Sequence, residues 1–154
     1  MWIIPLEADV FGRLSAPEVA ALQTKVLGPN QTDPIPDEIV RVCELIRGFV
    51  AANPQNLPMA SGISIPSKLL DCALSLITYR AASRLPTKIM LTEARIAANR
   101  EAMALLHDVA AYPPRFRIDR PDPQQLDKVE NIGNIYGSLS TLGRRPKFRD
   151  ERGI

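Results

Sequence analysis

Leu69-Leu70-Asp71-Cys72-Ala73-Leu74-Ser75-Leu76-Ile77 lies in the most apolar segment of this 154-residue chain, and the fold turns on how it is read. From Pro66 to about Leu85, the residues Leu69, Leu70, Ala73, Leu74, Leu76, Ile77 and Ala81 leave little room for a solvated face. That pattern predicts a central helix buried among others, ended by Leu85-Pro86-Thr87. Upstream, from about Asp37 to Asn53, the residues Ile39, Cys43, Ile46 and Val50 recur at helical spacing, widened by Val42 and Phe49. Glu38, Arg41, Glu44 and Arg47 fall on the polar face, with Glu44 and Arg47 as an i,i+3 pair. Downstream, a helix opens at Thr92, an N-cap before Glu93, and runs to about Tyr112, where Pro113-Pro114 closes it. Ile96, Met103, Leu106 and Ala110 mark its inner face; Arg95, Asn99, Arg100, Glu101 and Asp108 face out.

The flanks are shorter-ranged. Glu7 to Arg13 is a short helical candidate ended by Gly12. Ser15 with Glu18 fits a capping box, with Pro17 in the first turn of a helix that carries Val19, Leu22 and Val26 and stops at Gly28-Pro29. The connector Asn30 to Pro36 is excluded from helix by its prolines. Between Asn53 and the central helix lies a loop of about a dozen residues, Pro54 to Ile65, a length that compact domains usually reserve for function or motion. After Pro114 helical period is lost, apart from a short turn at Pro123 to Val129 and a loosely alternating stretch from Ile132 to Leu139. Residues 113–154 hold nine Lys or Arg against six acidic residues, a net of +3, while residues 1–112 carry −1. The reading is all-α: a small bundle of about four main helices over residues 1–112, followed by an extended C-terminal arm, 113–154. Alone in solution the arm is expected to be disordered, and removing 115–154 to leave a folded bundle.

Composition narrows the function. Nineteen basic and 17 acidic residues give a net charge of +2, which excludes a polyanion-coating protein and an acidic disordered chaperone. Fourteen prolines and only 5% aromatics argue against a base- or sugar-stacking surface. No apolar run reaches the length of a membrane span, and Met1-Trp2-Ile3-Ile4-Pro5 lacks the basic start of a secretory signal. Cys43 and Cys72 are too few for a disulfide scaffold and too far apart for a zinc knuckle, so a reducing cytoplasm is expected. Both lie on apolar stripes and read as small buried hydrophobes. The single histidine, His107, reads as a boundary residue. Phosphate-binding, dinucleotide-binding and nucleophile-elbow motifs are absent, as is metal-ligand spacing. Neither an enzyme nor a cofactor is expected. The basic run Arg144-Arg145-Pro146-Lys147-Phe148-Arg149 suits phosphate contacts or an acidic protein partner equally.

The order of elements resembles the head–tail adaptor family of tailed bacteriophages, also called connector, neck or head-completion proteins, in its Mu-like branch. The resemblance runs over residues 6–114. It rests on Ala8-Asp9-Val10-Phe11-Gly12-Arg13-Leu14-Ser15-Ala16-Pro17-Glu18-Val19, then the helix Ile39 to Ala52 and the proline-bearing loop Pro54 to Pro58. It continues with the apolar helix from Ile65-Pro66 to Thr78-Tyr79-Arg80, and with a closing helix matched through Arg95, Asn99, Arg100, Glu101, Ala102, Leu105, Leu106, Val109 and Ala110. The chain departs from the family at Ala51-Ala52-Asn53-Pro54, where an aromatic-rich loop start is usual, and in its longer tail. The resemblance implies a virion structural protein that sits in the neck between capsid and tail, after assembly in the host cytoplasm. It implies a ring, usually of twelve copies, between portal protein and the downstream neck or tail protein, with double-stranded DNA passing through the bore only as cargo. On that basis Ile135, Tyr136, Leu139, Arg144, Arg145, Lys147, Phe148, Arg149 and Arg152 are expected to dock on the portal. Leu57, Pro58 and Met59 are expected to form a second interface. The alternative is a small helical nucleic-acid-binding or regulatory protein with a basic arm.

Overall fold

The computed structural model describes residues 1–23, 33–56, 58–84, 92–113 and 115–126. In chain order the elements are β1 (Trp2–Ile3), α1 (Glu7–Phe11), α2 (Ala16–Gln23), α3 (Ile35–Ala52), β2 (Ile65–Pro66), α4 (Leu70–Ser83) and α5 (Glu93–Ala110). Single 3-10 turns stand at Pro54–Asn56, Ser67–Leu69 and Pro123–Gln125. The fold is all-α, with four helices longer than two turns among the described residues. α3, α4 and α5 pack on one another, and α1 closes against α3 and α4.

Local chemistry explains the helix ends. At the start of α2, the Glu18 carboxylate accepts from the Ser15 N–H at 2.8 Å and from its hydroxyl at 2.7 Å, the back-reaching half of the expected capping box. α3 begins two residues earlier than expected. Pro36 sits in its first turn, where a missing N–H costs nothing, so Ile35 and Pro36 leave the connector and join the helix. The N–H of Ile35 donates to Asp33 Oδ1 at 2.9 Å. α4 starts at Leu70 rather than Pro66, because residues 67–69 take the tighter turn first. Thr92 caps α5, its side chain accepting from the Arg95 N–H. The other end of α5 is closed from a distance: Asn53 Nδ2 donates to the carbonyls of Val109 at 3.3 Å and Ala111 at 2.7 Å. Asn53 Oδ1 accepts from the Gln55 N–H at 3.0 Å, so one fully buried side chain ends α3 and caps α5.

The core joins Val42, Ile46 and Val50 of α3 to Ala73, Leu76 and Ile77 of α4 and to Leu106 and Val109 of α5. The α3 stripe lies where its spacing puts it, and α4 is the central helix expected. α5 is rotated from its expected phase. Its buried residues are Ala102, Leu106 and Val109, while Ile96 is 38% exposed and Met103 and Ala110 are half-buried. An alanine-rich helix carries a weak apolar stripe, and two of its inward positions are set by packing. Glu38 and Arg47, expected on the solvated face of α3, are respectively buried and half-buried.

Trp2 is 1% exposed, and its strand β1 pairs antiparallel with β2 through Trp2↔Pro66 and Ile3↔Ile65. Its indole N–H donates to the Asp119 carbonyl at 2.9 Å, and its own carbonyl accepts from Gln125 Nε2 at 2.8 Å. The Ser61 N–H donates to the Gln125 carbonyl at 2.7 Å, and Ala60 forms an antiparallel bridge with Leu126. Phe116 and Ile118 pack against the core. Residues 115–126 are therefore laid across the bundle, and a cut after Pro114 would strip the indole of its acceptor. The Val26 end of α2, the stop at Gly28-Pro29, residues 30–32 of the connector and the stretch Ile132–Leu139 lie outside the described residues.

Replacing Asn53 with alanine leaves two carbonyls and one N–H without their buried partner. The expected loss is about 2 kcal/mol in urea unfolding, whereas exposed Gln55→Ala is expected to stay within about 0.5 kcal/mol.

Candidate functional site

The nine expected portal-binding positions, Ile135, Tyr136, Leu139, Arg144, Arg145, Lys147, Phe148, Arg149 and Arg152, lie outside the described residues, as does Leu57. Of the loop positions, Pro58 is exposed, and Met59 is half-buried with its side chain against the core.

The loop is held from α3. Arg47 donates from Nη1 to the Ser64 carbonyl and from Nη2 to the Ala60 carbonyl, both at 2.9 Å. Its guanidinium carbon lies 5.9 Å from the centre of the Trp2 ring. The expected pairing with Glu44 is replaced by these carbonyls, which an irregular segment must satisfy somewhere. The turn Pro54–Asn56 faces Arg117, Ile118, Asp119 and Arg120 across a cleft of about 490 Å³. Ile118 turns toward the core and leaves Arg117 and Asp119 outward. Asp119 is bound by Lys68 Nζ at 2.8 Å, and that hydrogen bond lowers its pKa. Among the described residues Arg117 and Arg120 have no ion pair, so the cleft keeps a cationic rim. The signal in the sequence was the alternation Arg115-Phe116-Arg117-Ile118, a segment that lies on a surface with one side down.

Two carboxylates enter the protein with arginines attached. Glu18 is 6% exposed and is gripped by both terminal nitrogens of Arg95, with Nη2 to Oε2 at 2.8 Å. Arg95 was expected to face solvent; its fork instead ties α5 to α2 across 77 residues. The Arg95 hydrogen bonds, aided by those from Ser15, hold the Glu18 carboxyl down from an ordinary 4.5 to about 2, and burial opposes them. Glu38 is 3% exposed and meets three arginines. Arg84 Nη2 donates to Oε1, Arg41 Nη1 lies 3.4 Å from the same oxygen, and Arg80 Nη1 lies 3.8 Å from Oε2. A further surface pair joins Arg13 to Asp71.

The reactive residue types are quiet. Burial pushes the Cys43 and Cys72 thiols up to about 11, so both are protonated at neutral pH. Cys72 Sγ donates to the Ala102 carbonyl at 3.4 Å, and both cysteines act as the small core hydrophobes expected. His107 is exposed, its ring set edge-on to Phe49 with centroids 5.2 Å apart. Among the described residues no group of three His, Cys, Asp or Glu side chains could hold a metal ion, and no helix is long and apolar enough to cross a membrane. What the surface offers is guanidinium groups: a cationic cleft at one end and an arginine cluster around Glu38. No family model, curated protein or solved structure matches the chain.

Because its folded pKa is depressed, Glu18 contributes stability that is fully present above pH 5 and is lost as pH falls toward 2. Urea unfolding from pH 7 to pH 2 is expected to show Glu18→Gln less stable by roughly 2–3 kcal/mol at neutral pH, with the gap closing through that window. Parallel curves would remove the ion pair from the stability of α2 and α5.

Proposed function

We propose that the chain is a virion structural protein, a head-to-tail adaptor that assembles into a ring between portal and neck or tail. The observation that carries this reading is the way the chain is handed from the bundle to its basic end. Residues 115–126 are pinned by Trp2, Ser61 and Lys68, and the last described residue, Leu126, is bridged to Ala60 of the 54–65 loop. The arm is thereby launched from a fixed point beside the second proposed interface. Residues 127–154, with the anchors Ile135, Tyr136, Leu139 and Phe148 among the basic residues, then act as the portal-docking arm. Ordering a short segment on a partner covers a large surface, and repetition around a ring multiplies a weak contact. Twelvefold symmetry and the passage of DNA through the bore rest on the resemblance described above.

The second reading, a nucleic-acid-binding protein, is favoured by one feature: arginines from α3 and α4 converge around Glu38 instead of dispersing. A duplex that must slide tolerates only weak contacts, so the adaptor reading expects no sub-micromolar, salt-sensitive affinity for duplex DNA in a gel shift.

Light scattering of the full chain with and without a portal ring separates the two readings. The adaptor is expected to add to the portal in a fixed multiple. Removing 127–154 is expected to abolish that addition while leaving helical circular dichroism and the melting midpoint close to those of the full chain. A monomer or dimer that ignores the portal, or a truncated chain that still joins it, would overturn the arm-docking reading.

A further inference from the structure

The arginine cluster on Glu38 is larger than its carboxylate requires. Arg84, the C-terminal cap of α4, already donates to Oε1. Arg41, from the second turn of α3, reaches the same oxygen only at 3.4 Å. Arg80, one turn before Arg84, lies 3.8 Å from Oε2, an ion pair beyond hydrogen-bond length, and its guanidinium makes no hydrogen bond to any described residue. No other described carboxylate lies within 4 Å of the three. The chain segments that adjoin the cluster in sequence, 24–32 and 85–91, contain no Asp or Glu and one lysine each. Among the described residues, one negative charge thus faces three positive ones.

The burial is uneven in an informative way. The Glu38 side chain is 4% exposed, while those of Arg41, Arg80 and Arg84 are 58%, 38% and 41% exposed. The carboxylate lies underneath and the guanidinium groups present their outer edges to solvent. A cluster formed only to neutralise Glu38 would need one arginine; the other two add mutual repulsion that a bare surface leaves uncompensated. A second anion placed over the guanidinium edges removes that repulsion and takes up their free N–H donors. Three forks converging from two helices match the several oxygens of a tetrahedral oxyanion better than the two oxygens of a carboxylate.

We propose that Arg41, Arg80 and Arg84, oriented by buried Glu38, form a phosphate-binding site on the α3–α4 face. The phosphate is that of a nucleic-acid backbone or of a free phosphate compound, the same chemistry from two sources. The site stands apart from the adaptor reading, since it uses neither the arm nor the 54–65 loop. Its affinity for one phosphate group on a single chain is low, because all three arginines remain partly hydrated.

The test uses the full chain, labelled with nitrogen-15, and follows the arginine Nε–H signals while inorganic phosphate or a short blunt DNA duplex is added against sodium chloride of matched ionic strength. Arg41→Gln and Arg80→Gln are the variants of choice, because Arg84 remains to neutralise Glu38 and keep the fold. The wild-type signals of Arg41, Arg80 and Arg84 are expected to shift saturably with phosphate. Each single variant is expected to weaken binding at least threefold and the double variant at least tenfold, with helical circular dichroism unchanged. A duplex that binds more tightly than inorganic phosphate, and loses that advantage in the double variant, assigns the source to nucleic acid. Equal binding of the two assigns it to free phosphate. No shift beyond the chloride control, unchanged affinity in the double variant, or equal competition by poly-glutamate would each overturn the proposal. The adaptor reading survives any of these outcomes, because its own test is addition to the portal.

Discussion

Arg47 is the residue on which the irregular half of this protein depends. A long connection between helices must satisfy its backbone carbonyls or remain in water. Arg47 reaches out of α3 with a rigid fork and takes two of them, at Ala60 and Ser64. The same guanidinium lies beside the Trp2 ring, whose burial would otherwise expose an indole N–H to an apolar interior. That N–H is satisfied by Asp119, so the segment after α5 is drawn onto the bundle by the tryptophan. One cation from α3 and one aromatic from the second residue thus hold the N-terminus, the 54–65 loop and residues 115–126 together. Replacing Arg47 by lysine would keep the charge and lose the fork, and with it one of the two carbonyls.

What the sequence made legible was whatever depends on neighbours in the chain. The stripes of α3 and α4, the Ser15–Glu18 turn and the Thr92 cap follow from spacings of three and four residues, and they are present. What it did not reveal is the long-range chemistry of charged residues. Glu18, Glu38, Arg47 and Arg95 each have polar side chains at positions that a helical wheel assigns to water or to a cap, yet all four are buried or half-buried. Their partners lie 77 residues away for Glu18 and 46 for Glu38 with Arg84, which no local pattern encodes. α5 was misphased for a related reason. Alanines at 97, 98, 102, 104 and 110 define no strong stripe, so its rotation is set by contact with α3 and α4 and by the pull of Glu18 on Arg95.

The candidate surfaces were half legible. The loop was singled out by length, and the basic end by its charge excess, but their meeting was not foreseen. It arises because Ile118 and Phe116 need burial, and burying them lays Arg117 and Arg120 beside the Pro54–Asn56 turn. Trp2 could have signalled this. A lone tryptophan with a buried N–H requires an acceptor, and the extended proline-rich segment after α5 has backbone carbonyls free to supply one.

A net charge of +2 conceals how strongly the charge is sorted. The two buried carboxylates are each matched to arginines, whereas Arg80, Arg117 and Arg120 are left with weak or no pairing at the surface. The field that a partner meets depends on that sorting and not on the sum. Glu38 shows the consequence most directly. Buried beneath its arginines, it lends them orientation and offsets one of their three charges, so that a nearly neutral protein can present a locally cationic face. Each such face is weak in one copy and salt-sensitive. In the ring proposed above the same faces would recur at a fixed radius, and an anionic polymer in contact with several of them would be held by their number while slipping past each singly. A weak phosphate site and a structural adaptor are therefore compatible demands on one molecule, and a tight site would defeat the second.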